Sequence, residues 1–298
     1  MNAREQGFLL LTSHLGDPER KVLTVAQLRN LFLRVQASDA PKQERELTEE
    51  DVISLSYDRE TAHRIVNLLS QQEQLSWYLK KAQKAGAYPI SRVSEAYPQV
   101  LRKKLGLDCP GSLWAKGDPE LLTLPAISLV GSRELGKSNA EFAIEAGRQA
   151  ARQGYVLISG NAKGADQTAQ NACLEAGGKV ICIVADALLE HPENDRILYI
   201  SEDGFDLPFT GLRALSRNRL IHAMGSITLV AQCNLERGGT WDGTKNNLKK
   251  GYSPVFCFRD GSAGIEALLD RGAMPVSLKE LENLSALQPE RISFLEMP

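Results

Sequence analysis

The sequence lacks the residue sets on which most metal and nucleophilic chemistry depends. Its five cysteines (Cys109, Cys173, Cys182, Cys233, Cys257) include no C-x-x-C pair, and its four histidines (His14, His63, His191, His222) are equally dispersed. That leaves no metal-ligand spacing. No H-E-x-x-H and no Ser–His–Asp set appears, so the chain is expected to be a non-enzyme with no metal and no cofactor. A surplus of positive charge is also missing. The formal net charge is −2 over 298 residues, so any nucleic-acid site must be a local basic patch. No run approaches the roughly 18 apolar residues of a membrane span, and Phe8–Leu11 lacks the basic lead-in and cleavage pattern of a signal peptide. With its thiols scattered and reduced, the chain is expected to be cytoplasmic and without a membrane partner.

What is present is an ordinary globular composition, 43% hydrophobic and 24% charged, enough for one large domain or two of usual size. Residues 1–106 read as a small all-helical N-terminal domain. Thr24 with Gln27 fits a capping box, and Leu28, Leu31, Phe32 and Val35 recur at helical spacing on one face. Thr48 starts a short helix, Asp58 caps a third, and a fourth ends at Gly86, where a C-terminal glycine belongs. Residues 37–46 read as a loop. Tyr88-Pro89 and Tyr97-Pro98 mark a transition, since a residue before proline is steered away from helix.

From residue 107 to 277 apolar strands and helices alternate. Strands are predicted at Ser112–Lys116, Ala126–Val130, Tyr155–Ile158, Lys179–Val184, Ile227–Ala231, Pro254–Phe258 and Met274–Val276. Helices are predicted near 137–153 and 165–176, at Leu212–Met224, Gly239–Lys250 and Gly264–Leu269. The region between residue 184 and Leu212 reads as irregular. Such repeats predict an α/β fold: a mostly parallel sheet with helices on both faces. Residues 278–298 are left as a helical or loose C-terminal tail.

Ligands of such sheets bind at the carboxyl ends of the strands, and there the sequence places two small-residue turns. The first is Gly131-Ser132-Arg133. The second runs Ser159-Gly160-Asn161-Ala162-Lys163-Gly164. Glycines let backbone N–H groups approach an anion, a following helix N-terminus favours negative charge, and each turn carries one cation. Neither turn is a G-x-G-x-x-G or a Walker A loop. Asp166 is expected to cap the helix that follows. Arg213 and Arg217 share a helix face, with Asn218 beside them and Arg219 turned away. Gly238-Gly239-Thr240 offers a further turn of N–H donors. This inventory suits holding a phosphate better than breaking a bond.

In order along the chain stand Tyr97-Pro98, LWAKGD at 113–118, LVGSR at 129–133, SGNAKGAD at 159–166, AGGKVICIV at 176–184 and SRNRLIHAMG at 216–225. The combination resembles the DprA/Smf (DNA-processing A) family. The resemblance implies an extended Rossmann-like fold that binds single-stranded DNA, forms homodimers and helps load RecA during transformation. It also implies phosphate contacts from Arg133 and Lys163, with Arg217 and Arg219 near the same pocket. The family usually has a histidine in the stretch where Gln170 stands, and a different turn where Glu236–Thr244 stands. Three functions remain open at this level: a single-stranded DNA binder, a nucleotide sensor or LOG-like nucleotide hydrolase on the same sheet, acting in mobile-element or defence biology, and a scaffold working through the N-terminal helices.

Overall fold

The computed structural model describes residues 1–38 and 46–288, and the chain divides into two compact units. The first comprises Met1–Gly117 with Ala185–Glu193 and Tyr199–Phe209; the second comprises Asp118–Val184, Asn194–Leu198 and Thr210 onward. The expected boundary at residue 106 falls inside the first unit. Most of the predicted loop at 37–46, and the last ten residues of the predicted tail, lie outside the described residues.

The first unit carries the expected helices: α1 (Ala3–Thr12), α2 (Val25–Ala37), α3 (Glu49–Ser54), α4 (Arg59–Ser70) and α5 (Gln72–Lys84). Their starts are written in the sequence. Asn2, Thr24 and Thr48 each form a capping box, and Asp58 accepts from the Thr61 amide at 2.8 Å, which satisfies N–H groups that the first helical turn leaves open. Leu11, Leu23, Leu28, Val52, Ala62, Ile65 and Leu68 form their shared core. The unit also contains strands. β1 (Ala87–Ser91) follows α5, then α6 (Gln99–Leu105) and β2 (Ser112–Lys116), and β1 pairs antiparallel with β2. The transition expected around Pro89 is therefore a strand, and the unit is not all-helical.

In the second unit the elements are β3 (Ala126–Val130), α7 (Lys137–Arg152), β4 (Val156–Ser159), α8 (Ala165–Glu175) and β5 (Val180–Ile183). Next comes β6 (Ile197–Glu202), whose first two residues belong to this unit and whose remainder pairs antiparallel with β2 in the first. It occupies the region read as irregular. The chain continues with α9 (Gly211–Met224), β7 (Thr228–Val230), α10 (Gly238–Lys250), β8 (Val255–Phe258), α11 (Ala263–Leu269) and β9 (Met274–Val276). The parallel strands lie in the order β5-β4-β3-β7-β8-β9. Counted from β3 this is the 3-2-1-4-5-6 order of a Rossmann fold, and winding reverses between β3 and β7. Right-handed crossovers then put α7 and α8 on one face and α10 and α11 on the other; α9 packs on α10 and β3.

β3, β4 and β5 are buried along nearly their whole length, as strands covered on both faces must be. α7 and α8 approach closely at Gly147, where a Cβ would collide with the Ala169 carbonyl. The first part of the tail is folded rather than loose: Leu281 and Leu284 are fully buried, and the Gln153 amide bridges them, donating to Leu281 O (2.8 Å) and accepting from Leu284 N (2.7 Å). Among the described residues no helix is long and apolar enough to cross a membrane.

Candidate nucleic-acid interface

The winding reversal fixes where a ligand can sit. At a switch point the loops leaving adjacent strands diverge to opposite faces and open a crevice beyond the carboxyl ends. The turns after β3 and β7 flank that crevice, and the turn after β4 adjoins it. α9 contributes too: its C-terminus leads into the start of β7, so its N-terminal half, with Arg213 and Arg217, lies at the carboxyl ends.

Close backbone approach locks the first two turns together. A Cβ on Gly131 would collide with the Ala165 side chain, and one on Gly164 with the carbonyls of Ser132 and Arg133. Gly164 also has φ +92° and ψ −127°, a region that essentially only glycine enters. The Ala165 amide donates to Ser132 O at 3.1 Å, closing the contact. The third turn joins through side chains. Thr240 Oγ1 donates to Gly131 O at 2.8 Å, and Asn218 Nδ2 donates from α9 to Gly239 O at 3.1 Å. Gly131, Ser132, Arg133, Gly160, Lys163, Gly164, Arg217, Asn218, Gly239 and Thr240 are thus assembled in one place.

Within the assembly, several expected roles change. Asp166 is not the cap of α8; Gly164 holds that position. The Asp166 carboxylate reaches back to accept from the amides of Gly160 (2.9 Å) and Ala162 (3.3 Å). Those two N–H groups, expected to face a phosphate, are therefore engaged within the protein. The Ser132 amide is engaged as well, donating to Gln232 O at 3.0 Å. Ser159 is fully buried and receives a hydrogen bond from Gln170 Nε2, so its hydroxyl serves the interior. Asn161 has φ +58°, a left-handed conformation that asparagine tolerates better than most residues. Gly238 opens α10 with φ +83°.

Asp166 is only 6% exposed. Burial pushes its carboxyl above the usual range, opposed by the Arg217 charge, by the two amides and by Arg133. Arg217 is itself buried at 8% exposure, with its guanidinium packed on Gly160 where a Cβ would otherwise stand. It is an internal cation that holds the second turn against α9. Arg219 folds back along its own helix, donating to Ser216 O (2.6 Å) and Ser216 Oγ (2.7 Å). Arg133 and Lys163 are the exposed cations of the two turns, and Arg213 is half-buried.

Sequence reading passed over a brace at the start of α7. Asn139 Nδ2 donates to Ala231 O (2.8 Å) and Asp260 Oδ2 (2.7 Å), while Gln232 Oε1 accepts from Gly136 N (2.8 Å). These bonds tie the ends of β7 and β8 to the segment following Arg133. Their partners lie far apart in sequence, so no local signal announced them. Among the described residues no group of three or more His, Cys, Asp or Glu side chains is placed to hold a metal. The assembly is a rigid framework of turns that displays cations.

Comparison with known proteins fits this arrangement. The family model for DNA recombination-mediator protein A matches residues 89–286. Among curated relatives, the DNA processing protein DprA of Streptococcus pneumoniae is 31% identical over 169 residues, and Protein Smf of Escherichia coli is 29% identical over 209. These matches cover 53% and 64% of this chain, and span 58% and 55% of the two relatives. The solved structure of DprA from Streptococcus pneumoniae is similar with a TM-score of 0.72 at 24% identity, covering 96% of this chain and 98% of that one. A structure of DNA processing protein A from Helicobacter pylori, concerned with that protein's single-stranded DNA binding mode, gives a TM-score of 0.56 at 22% identity, covering 68% of this chain and 97% of the other. A family match across about two thirds of the chain, residues 89–286, places it: the chain belongs to the DNA recombination-mediator protein A family.

Proposed function

We propose that the strand-end turns of the second unit hold the phosphate backbone of single-stranded DNA, without catalysis. Arg133 and Lys163 are the outward anchors, and Arg213 extends the cationic surface along α9. Arg217 acts from within, fixing Gly160 and Asp166 so that Lys163 is presented on a rigid turn. The observation that carries this reading is the convergence of two cation-bearing turns, braced by Thr240 and Asn218, at the switch point of the sheet. A row of cations on a fixed backbone suits a ligand of regularly spaced phosphates, and contacts of this kind position a strand without reading its sequence. The single-stranded DNA binding of the Helicobacter pylori relative supports the same ligand.

Family membership supports two extensions: a homodimer, and the loading of RecA onto the bound strand in the cytoplasm. Co-purification of RecA with the protein in the presence of an oligonucleotide tests the second. The ligand is tested by anisotropy with a labelled single strand, a duplex and nucleoside monophosphates over a salt series. The single strand should bind most tightly, and affinity should fall steeply with salt as counterions are released. Combining Arg133→Glu with Lys163→Glu should weaken binding by at least about tenfold. Equal binding by that variant would refute the site. Tighter binding of a monophosphate than of the oligonucleotide would favour a nucleotide sensor, and release of free base would favour a hydrolase.

A further inference from the structure

The first unit carries an apolar groove that its own core leaves unfilled. The α2 stripe of Leu28, Leu31, Phe32 and Val35 has the spacing of a face meant to be covered, yet only Leu28 is buried. Leu31 is half-buried against the core, while Phe32 and Val35 are 37% and 45% exposed. With Phe8 of α1 and Leu107 they wall a groove of about 750 Å³. Contiguous apolar surface of this kind marks an interaction site more often than a chance exposure.

The charges lining the groove have one sign. Arg4, Arg92 and Arg102 line it, and among the described residues no acid does, in a chain whose net charge is −2. Two of the three are fixed by neutral acceptors. Arg92 donates to Gly106 O (2.9 Å) and Leu107 O (3.2 Å), and Arg102 donates to Arg92 O (2.8 Å) and Ser94 O (2.6 Å). Backbone carbonyls orient these guanidinium groups without cancelling their charge. Two nearby acids among the described residues are otherwise occupied: Glu5 accepts from Asn2 N in the α1 capping box at 2.8 Å, and Asp108 is paired with Arg29 at 2.5 Å.

We propose that this groove docks an acidic amphipathic helix of a partner protein. An apolar floor inside a cationic rim selects an occupant apolar on one side and anionic on the other. The i, i+3, i+4, i+7 spacing of the α2 stripe suits a helix laid alongside it. Nucleic acid would match the rim but has no aliphatic face for Phe8, Leu31 and Val35. Opposite charge at the rim sets orientation and partner choice, while the apolar contacts supply most of the affinity.

The test uses the full-length protein and two fluorescein-labelled synthetic helical peptides of about 16 residues. Both carry leucines along one face; one has glutamates and the other lysines elsewhere. Saturable binding of the glutamate peptide is expected, with the lysine peptide at least about tenfold weaker. Phe32→Asp with Val35→Asp, both at exposed positions, should weaken the glutamate peptide at least about tenfold while the thermal transition stays in place. Arg4→Glu should weaken the glutamate peptide about threefold and strengthen the lysine peptide. Absent binding, equal binding of the two peptides, or indifference to the groove variants would overturn the proposal. It would equally be overturned if the Phe32→Asp, Val35→Asp variant abolished a dimer of the parent protein, assigning the groove to a second copy, or abolished binding to anionic lipid vesicles.

Discussion

Turn Gly131–Arg133 and turn Ser159–Gly164 look equivalent in sequence, each a glycine-bearing loop with one cation, but they are held in opposite ways. The first is braced from outside: Thr240 donates to the Gly131 carbonyl, and Gln232 O accepts from Ser132 N. The second takes its hydrogen bonds from within its own strand–helix unit, from Asp166 on the Gly160 and Ala162 amides and from Gln170 on Ser159, with Arg217 of α9 packed on Gly160 from outside. The contrast shows that a glycine-rich turn is not automatically a nest of free donors. Much of the polar capacity of both turns goes into rigidity, and what faces outward is the pair of side chains, Arg133 and Lys163.

Gly164→Ala should have the largest effect, because it strikes the point where the two turns meet. Its backbone conformation excludes a side chain, and a Cβ would collide with the Arg133 carbonyl. A loss of about 3 kcal/mol or more is expected in chemical denaturation. Asp166→Ala should follow at about 2–3 kcal/mol, since it strands the buried Gly160 amide and the half-buried Ala162 amide, with Asp166→Asn milder because one acceptor oxygen remains. An equal cost for Ala and Asn would mean that the negative charge beside Arg217, rather than the hydrogen bonds accepted from the two amides, is what Asp166 supplies.

His222, near the C-terminal end of α9, sets a pH limit on all such measurements. It is buried against Thr228 Oγ1 (3.3 Å) and Asn247 (3.2 Å), and burial pushes it down to about 3 from 6.5. The folded protein thus binds this proton less readily than the unfolded chain. Stability is full above about pH 6.5 and is lost as pH falls toward 3, at about 1.4 kcal/mol per unit. Denaturation at pH 7 and pH 5 should differ by about 2 kcal/mol, and His222→Gln should flatten that difference. The smallest effect is expected for Thr240→Val, about 1 kcal/mol for one hydrogen bond. It should loosen the first turn while leaving the second intact, as amide exchange at Gly160 and Ala162 would show.

The parallel sheet was legible because its strands are short apolar runs ending in small residues. β3 and β9 fall where they were predicted, and the others lie within a residue of the expected ends. The two surprises are antiparallel strands. β1 contains Pro89, which cannot donate to a ladder and so argues against a strand; it is tolerated because β1 lies at the sheet edge. β6 begins with an apolar run, Ile197–Ile200, but its antiparallel partner, β2, is about 85 residues away. In the site, sequence identified the turns and misjudged the direction of their hydrogen bonds. Asp166 stands where a helix acid often caps its own helix, and only the fold shows it reaching backward. The α2 stripe was equally visible, but that nothing in the described first unit covers Phe32 and Val35 was not.

The central claim, that Arg133 and Lys163 are the phosphate anchors, is tested most directly by the salt dependence of single-strand binding. Each phosphate contact contributes about 0.7 to the slope of log affinity against log salt. Replacing both residues with glutamine should therefore lower the slope by about 1.4, leaving the thermal transition unchanged because both side chains are exposed. An unchanged slope in a stably folded Arg133→Gln, Lys163→Gln variant would show that the strand is held elsewhere and contradict the account.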